Sequence, residues 1–218
     1  MGQVTHILKN NDMKLTVLLD NGHGIDTAGK RSPDGVLREY KWTRDLAARL
    51  MEMLMLAGIE CHLLVPEDTD IPLTSGKDNR CRRANTLYAE AQKAGKTAVL
   101  VSLHINAAGS DGKWHDARGF SIKVQPGCSD QSKVLARSIY ECAEKADLKG
   151  NRSVPKEKYW EQNLGILRET KMPAVLGESL FMDNKEDCDY LLSEEGKQTI
   201  AEVYCEGIEK FIKAKGYE

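Results

Sequence analysis

The chain has 218 residues, with 31 Lys and Arg against 33 Asp and Glu and a formal net charge of -2 at pH 7. That balance gives no electrostatic case for a nucleic-acid partner, and no apolar run approaches the roughly 18 to 20 residues of a membrane span. The length and the 41% hydrophobic content suit one sizeable domain with a substantial core.

Residues 1–13 are polar, with no basic flank leading into an apolar stretch, so no signal peptide is visible and the segment is expected to be poorly ordered or peripheral. Leu15 to Leu19 reads as a buried strand that runs into the turn Asp20-Asn21-Gly22-His23-Gly24. A polar loop, Ile25 to Arg38, follows. Trp42, Leu46, Leu50, Met53, Leu54 and Ala57 then fall at helical spacing, and Gly58 supplies the stop. Ile59 to Val65 reads as a second strand, so strand, helix and strand imply a parallel pair with a right-handed crossover.

After a loop from Pro66 to Gly76, a helix is expected over Lys77 to Lys93. Thr97 to Leu103 is the clearest core strand, ending on His104. Asn106 to Arg118 lacks periodicity and reads as an exposed loop, Gly119 to Val124 as a strand, and Ser129 to Asp147 as a helix. Lys149 to Gln162 is polar, contains Pro155, and is the best candidate for a mobile or substrate-facing loop. Leu164 to Arg168 is expected to be a short strand. Pro173 to Gly177 is an apolar run ending on Glu178, and helices close the chain over Asn184 to Leu192 and Glu194 to Lys213.

The pattern predicts an α/β fold: a single three-layer domain with a twisted, mostly parallel sheet flanked by helices on both faces. Six cysteines occur without a C-x-x-C pair, so reduced, buried thiols are expected rather than a zinc knuckle or a disulfide framework.

Three predicted strands end on groups able to bind a metal or move a proton, namely His23, His104 and Glu178, with Glu39 at the loop-to-helix junction after the first strand. Parallel neighbours bring their carboxyl ends to one edge, where functional groups collect. Two neutral imidazoles and one carboxylate are a catalytic zinc set that leaves a position for water. Glu178 would then stand as a second carboxylate beside that water. The alternative is that strand-end His and Glu are polar punctuation, because these residues share no helix and their spacing does not fix convergence.

The stretches Leu19-Asp20-Asn21-Gly22-His23-Gly24, Glu39, Arg80 ahead of Ala84-Asn85, Ser102-Leu103-His104-Ile105-Asn106-Ala107, Leu164-Gly165-Ile166-Leu167 and Pro173 to Asn184 with Asp187 occur in that order. In them the chain resembles the zinc-dependent N-acetylmuramoyl-L-alanine amidases, the amidase-3 family of bacterial and phage cell-wall hydrolases. The resemblance runs from residue 15 to about 212. It implies one catalytic amidase domain over 1–218, one Zn²⁺ held by His23, Glu39 and His104, Glu178 as catalytic acid/base, and peptidoglycan as substrate. The bond implied is the amide between N-acetylmuramic acid and L-alanine of the stem peptide.

Three departures stand out. Asn21 replaces the usual Pro, Gly177 replaces a branched residue, and no cell-wall-binding repeat or secretion signal is present. The substrate lies outside the membrane, so delivery is expected either by phage-type release or from an exported domain seen without its leader. Two rival readings are an inactive peptidoglycan-binding module and a zinc peptidase acting on free peptides.

The remaining residues have structural alternatives. His62 reads as structural or exposed, His6 as part of a frayed terminus, and His115 as a solvated loop residue or a substrate contact. Arg80 either holds a loop near the site or makes a salt bridge that fixes the second helix. Asp26 and Asp34 are turn acids or shape the cleft. Trp114, Tyr159 and Trp160 either stack on sugar rings or pack against the core. The Lys/Glu-rich last helix reads as a solvated outer face.

Overall fold

The computed structural model describes residues 13–217, so the amino-terminal segment up to residue 12 lies outside the described residues. Met13 itself is buried in the core. Six strands, β1 (Leu15–Asp20), β2 (Glu60–Leu63), β3 (Thr97–Asn106), β4 (Ser121–Val124), β5 (Trp160–Glu161) and β6 (Ala174–Phe181), form one sheet in the order β2-β1-β3-β6-β4-β5. The first four in that order run parallel, β4 is antiparallel to β6, and β5 runs parallel to β4.

Alternation along the central strands sends successive side chains to opposite faces, and both faces are covered, so these strands read as continuous apolar runs. Val17, Leu19, Val99, Val101 and Val175 pack under α1 (Glu39–Leu56), α3 (Asp130–Lys145), α5 (Lys185–Leu192) and α6 (Glu194–Lys215). Leu18, Ala98, Leu100, Ala174 and Leu176 pack under α2 (Arg80–Lys93) and α4 (Gly165–Arg168). The three-layer architecture is the one the sequence pattern predicts.

Helix ends follow local chemistry. Gly58, at φ 75°, lets the chain leave α1 through the left-handed region that glycine tolerates. The second helix begins at Arg80 rather than Lys77, because the Asn79 side chain accepts from the Arg82 N–H and sets the first turn there. Ser193 caps α6 in the same way, through the Gly196 N–H.

Three expectations change. Leu164 to Arg168 is not a strand: residues 165–168 form one helical turn whose Leu164 carbonyl accepts from both Leu167 and Arg168. An apolar run this short carries no periodicity that separates the two states. Second, β3 and β6 do not end at His104 and Glu178. Both continue, because the backbone ladder still pairs His104 with Glu178 and, past a bulge, Asn106 with Phe181. Third, the 149–162 stretch is fastened at its far end, where Trp160 and Glu161 form β5 and Tyr159 is buried.

Gly177 has a packing reason. A Cβ there would stand 2.0 Å from the Tyr204 hydroxyl of α6, which is hydrogen-bonded to Ser179 Oγ at 3.0 Å. The branched residue expected at this place is excluded by a buried tyrosine.

Candidate metal centre and active site

The carboxyl end of β1 opens the site. Asp20 is fully buried, contacts Arg80 Nη1 at 3.2 and 3.3 Å through its two oxygens, and accepts from Ser102 Oγ at 2.6 Å. Arg80 therefore ties the start of α2 to the floor below His23, which joins the two roles the sequence left open for it. Removing one partner of a buried ion pair costs about 3–5 kcal/mol. Arg80→Met is accordingly expected to lower the thermal midpoint by roughly 10 °C. An unchanged midpoint would mean that Ser102 alone satisfies Asp20.

Beyond Asp20 the chain turns sharply. His23 has φ 55°, a left-handed conformation uncommon outside glycine. Helix α1 fixes this turn: Thr43 Oγ1 donates to the Asn21 carbonyl at 3.0 Å and Arg44 Nη1 to the His23 carbonyl at 3.1 Å. Asn21 Nδ2 donates to the Val65 carbonyl at 3.0 Å, a bond that the proline usual at this position could not make. Gly22 leaves room for the neighbouring ring, since a Cβ there would lie 2.3 Å from His104 Cε1.

Glu39, the first residue of α1, sits 1% exposed between the two imidazoles. Its Oε1 lies 3.0 Å from His104 Nδ1 and 3.7 Å from His23 Nε2, and accepts from the Ile105 N–H at 3.0 Å. The ligand atoms of His23, Glu39 and His104 all fall within 4.8 Å of one another. Glu178 stands opposite His104 in the parallel β3–β6 ladder, and its Oε1 accepts from Lys123 Nζ at 2.8 Å.

Electrostatics suit a cation. Burial pulls the His23 imidazole down to about 4, with Glu39 opposing, so this ring is neutral near pH 7 and free to coordinate. Burial also pushes His104 down, but its hydrogen bond and charge contact with Glu39 outweigh that and leave it raised. Burial pushes the Glu39 carboxyl up, yet the two histidines and the Ile105 N–H hold it below its ordinary range. The fit to zinc is also seen in the orphaned atoms: Glu39 Oε2 is buried without a hydrogen-bond partner, a cost that a coordinated ion would remove.

The residue pattern of the family described as N-acetylmuramoyl-L-alanine amidase (Amidase_3) matches this chain over residues 17–210. The chain belongs to that family of hydrolases. Among its relatives is an endolysin of Bacillus phage SPP1, 27% identical over 208 residues, covering 93% of this chain and 68% of that protein. A cell wall amidase of Bacillus anthracis is 30% identical over 207 residues, again 93% of this chain but 36% of that protein. The chain thus spans about a third of the longer relative. The fold matches a solved N-acetylmuramoyl-L-alanine amidase from Clostridium difficile 630 with a TM-score of 0.75 at 24% identity, covering 94% of this chain and 100% of that one. It also matches Ami1 from Mycobacterium smegmatis, with a TM-score of 0.74 at 19% identity over 94% and 99% of the two chains.

Against this amidase frame, the other sequence candidates fall outside the cluster. His62 is exposed and contacts Glu60 at 3.1 Å. His115 contacts Asp111 at 2.9 Å in the loop after β3, and the exposed Trp114 ring lies beneath Lys185. Asp34 caps its own turn through Ser32 and Val36, and Asp26 accepts from the Asp70 N–H. All six cysteines are free thiols; Cys81, Cys188 and Cys205 are buried as expected, whereas Cys61, Cys128 and Cys142 are half-buried. His6 lies outside the described residues.

Sequence reasoning missed Thr43, Arg44 and Lys123. Thr43 sits four residues along α1 from Glu39 and shares its side of the helix, a spacing that could have placed it, whereas Arg44 is five residues on and turned away from Glu39. Lys123 is the one charged residue in β4, between the core-facing Ile122 and Val124.

Proposed function

We propose that this domain is a zinc-dependent amidase that hydrolyses the bond between the lactyl group of N-acetylmuramic acid and L-alanine in peptidoglycan. The observation that carries the reading is the pairing of three converging ligands with one carboxylate that is not part of the cluster. His23, Glu39 and His104 would hold the ion, and Glu178 keeps a buried oxygen, Oε2, without a partner. Zinc, when bound, supplies Lewis acidity that polarises a carbonyl and acidifies a water.

The protein groups do the rest. Lys123 occupies Oε1 of Glu178 and keeps that carboxylate oriented, leaving Oε2 to accept a proton from the attacking water. As the water oxygen bonds to the lactyl carbonyl carbon and the C–N bond breaks, the same carboxyl returns that proton to the leaving alanine nitrogen. The products are a muramic acid carboxylate and a peptide with a new amino terminus.

Action is placed outside the membrane, where peptidoglycan lies. Among the described residues no helix is long and apolar enough to cross a membrane. The likeness to a phage endolysin fits release of the phage type, and the likeness to a bacterial cell wall amidase fits export equally.

Zinc-loaded protein added to purified cell walls is expected to release new amino-terminal alanine. Release should stop with a chelator and return when zinc is added back. Cleavage of isolated stem peptides in place of intact walls would favour a peptidase, and wall binding without any release would favour an inactive binding module.

A further inference from the structure

The loop that carries the chain from β1 to Glu39 folds back on itself as a short hairpin. Arg31 and Arg38 form its antiparallel bridge. Two bonds flank them: the Glu39 N–H donates to the Lys30 carbonyl at 3.0 Å, and the Ser32 N–H to the Leu37 carbonyl at 2.9 Å. Bonds on either side of a facing pair, rather than within it, mark the narrow kind of cross-strand position, with Cα atoms about 4.5 Å apart. Facing residues point the same way, so two guanidiniums stand side by side. Like charges directly opposite each other destabilise a ladder.

Both arginines are exposed, whereas Ser32, Leu37 and Glu39, which alternate to the opposite face, are buried. The arginine face therefore looks outward, away from the three converging ligands. Among the described residues the nearby carboxylates are engaged elsewhere. Asp34, in the turn, accepts from Ser32 Oγ and the Val36 N–H, and Glu39 faces the two histidines. Asp45 pairs with Arg49 and Lys197. Arg38 also lines a cavity of about 360 Å³ with Lys41, Lys197, Val36 and Leu192. Val36 is 65% exposed and Leu192 37%, so apolar edges adjoin the cations.

Exposure sets the class of ligand. One ion pair in water is worth at most about fivefold in affinity, too little to hold a free anion. Arg31, Arg38 and Lys41 engaged together multiply to about 10²-fold, which takes a ligand with repeated charges. Guanidinium forks match phosphate oxygens two at a time. Two apolar side chains suit the short hydrocarbon links of a polyol phosphate, and fall short of the broad apolar face that seats a helix on a membrane.

We propose that the outer face of this hairpin, Arg31 and Arg38 with Lys41, docks a phosphodiester-linked polymer of the cell wall. This rests on the reading of the chain as a wall-acting enzyme, and it adds a contact outside the catalytic cleft.

Soluble poly(glycerol phosphate) is the probe, titrated by calorimetry into the zinc-loaded full chain at low ionic strength. Wild type should bind it, with affinity falling as salt screens the exposed contacts. Arg31→Gln/Arg38→Gln should bind about tenfold or more weakly. Lys93→Gln/Lys213→Gln, which removes the same charge from exposed positions elsewhere, should stay within about twofold of wild type. The arginine variant should also keep or slightly raise its thermal midpoint, because it relieves a like-charge pair.

No binding by wild type overturns the proposal. So does equal weakening in the two double variants, which would reduce the effect to net charge, and so does a lowered midpoint in the arginine variant, which would make the pair structural. Tighter binding to phosphatidylglycerol vesicles than to the polymer would overturn it in favour of a lipid surface. Alanine release from cell walls is scored separately: release without polymer binding removes only the docking face, and polymer binding without release removes only the hydrolase reading.

Discussion

Glu178→Gln is expected to lower turnover by about 10²- to 10⁴-fold, the usual contribution of a positioned proton-transfer group, while fold and zinc content stay at wild-type levels. The amide is nearly the same shape as the carboxylate, and its oxygen can still accept from Lys123 Nζ, which now lies 2.8 Å from Glu178 Oε1. What it lacks is an atom that can take a proton at Oε2, the oxygen with no partner in the buried site. The three converging groups, His23, Glu39 and His104, are untouched. Release of amino-terminal alanine and elemental analysis of the same preparation check both halves. Turnover equal to wild type would place the general base elsewhere, and loss of zinc would make Glu178 a ligand in a closed, structural site.

His104→Ala should act on the other half of the centre. Without the ring, Glu39 loses its 3.0 Å contact at Oε1 and keeps the Ile105 N–H and the longer 3.7 Å contact with His23 Nε2, and two groups remain where three converged. Zinc content is expected to fall from about one ion per chain to near zero after dialysis, with turnover lost in parallel. A native-state ligand raises stability by an amount set by its concentration over its dissociation constant, about 4 kcal/mol at a thousandfold excess. The thermal midpoint of wild type should therefore rise on adding zinc, and that of His104→Ala should not. A variant that still binds one zinc would show that the histidine is dispensable as a ligand.

Much of this architecture was legible before any coordinates. Strand β1, helix α1 with its Gly58 stop, strand β3 and the long final helix all announce themselves by period and punctuation, and length alone made a covered sheet the natural outcome. The errors came where local signal is thin. Four residues at 165–168 hold too little pattern to tell a helical turn from a strand. The polar His104 and Glu178 looked like strand ends, although the ladder runs through them, because backbone pairing is indifferent to the side chain.

By itself the sequence determined the chemical inventory: two histidines and two glutamates, each beside a strand or helix that could carry it to one sheet edge, in an order shared with a known hydrolase family. Convergence was decided only by the tertiary structure, since Glu39 meets His104 across 65 positions and Lys123 meets Glu178 across 55. The same holds for Gly22 and Gly177, whose missing Cβ atoms make room for His104 and Tyr204. Spacing along a chain sets which face a side chain takes within its own element. Which elements lie side by side is set by the sheet order, and that order follows from burying apolar surface over the whole molecule at once.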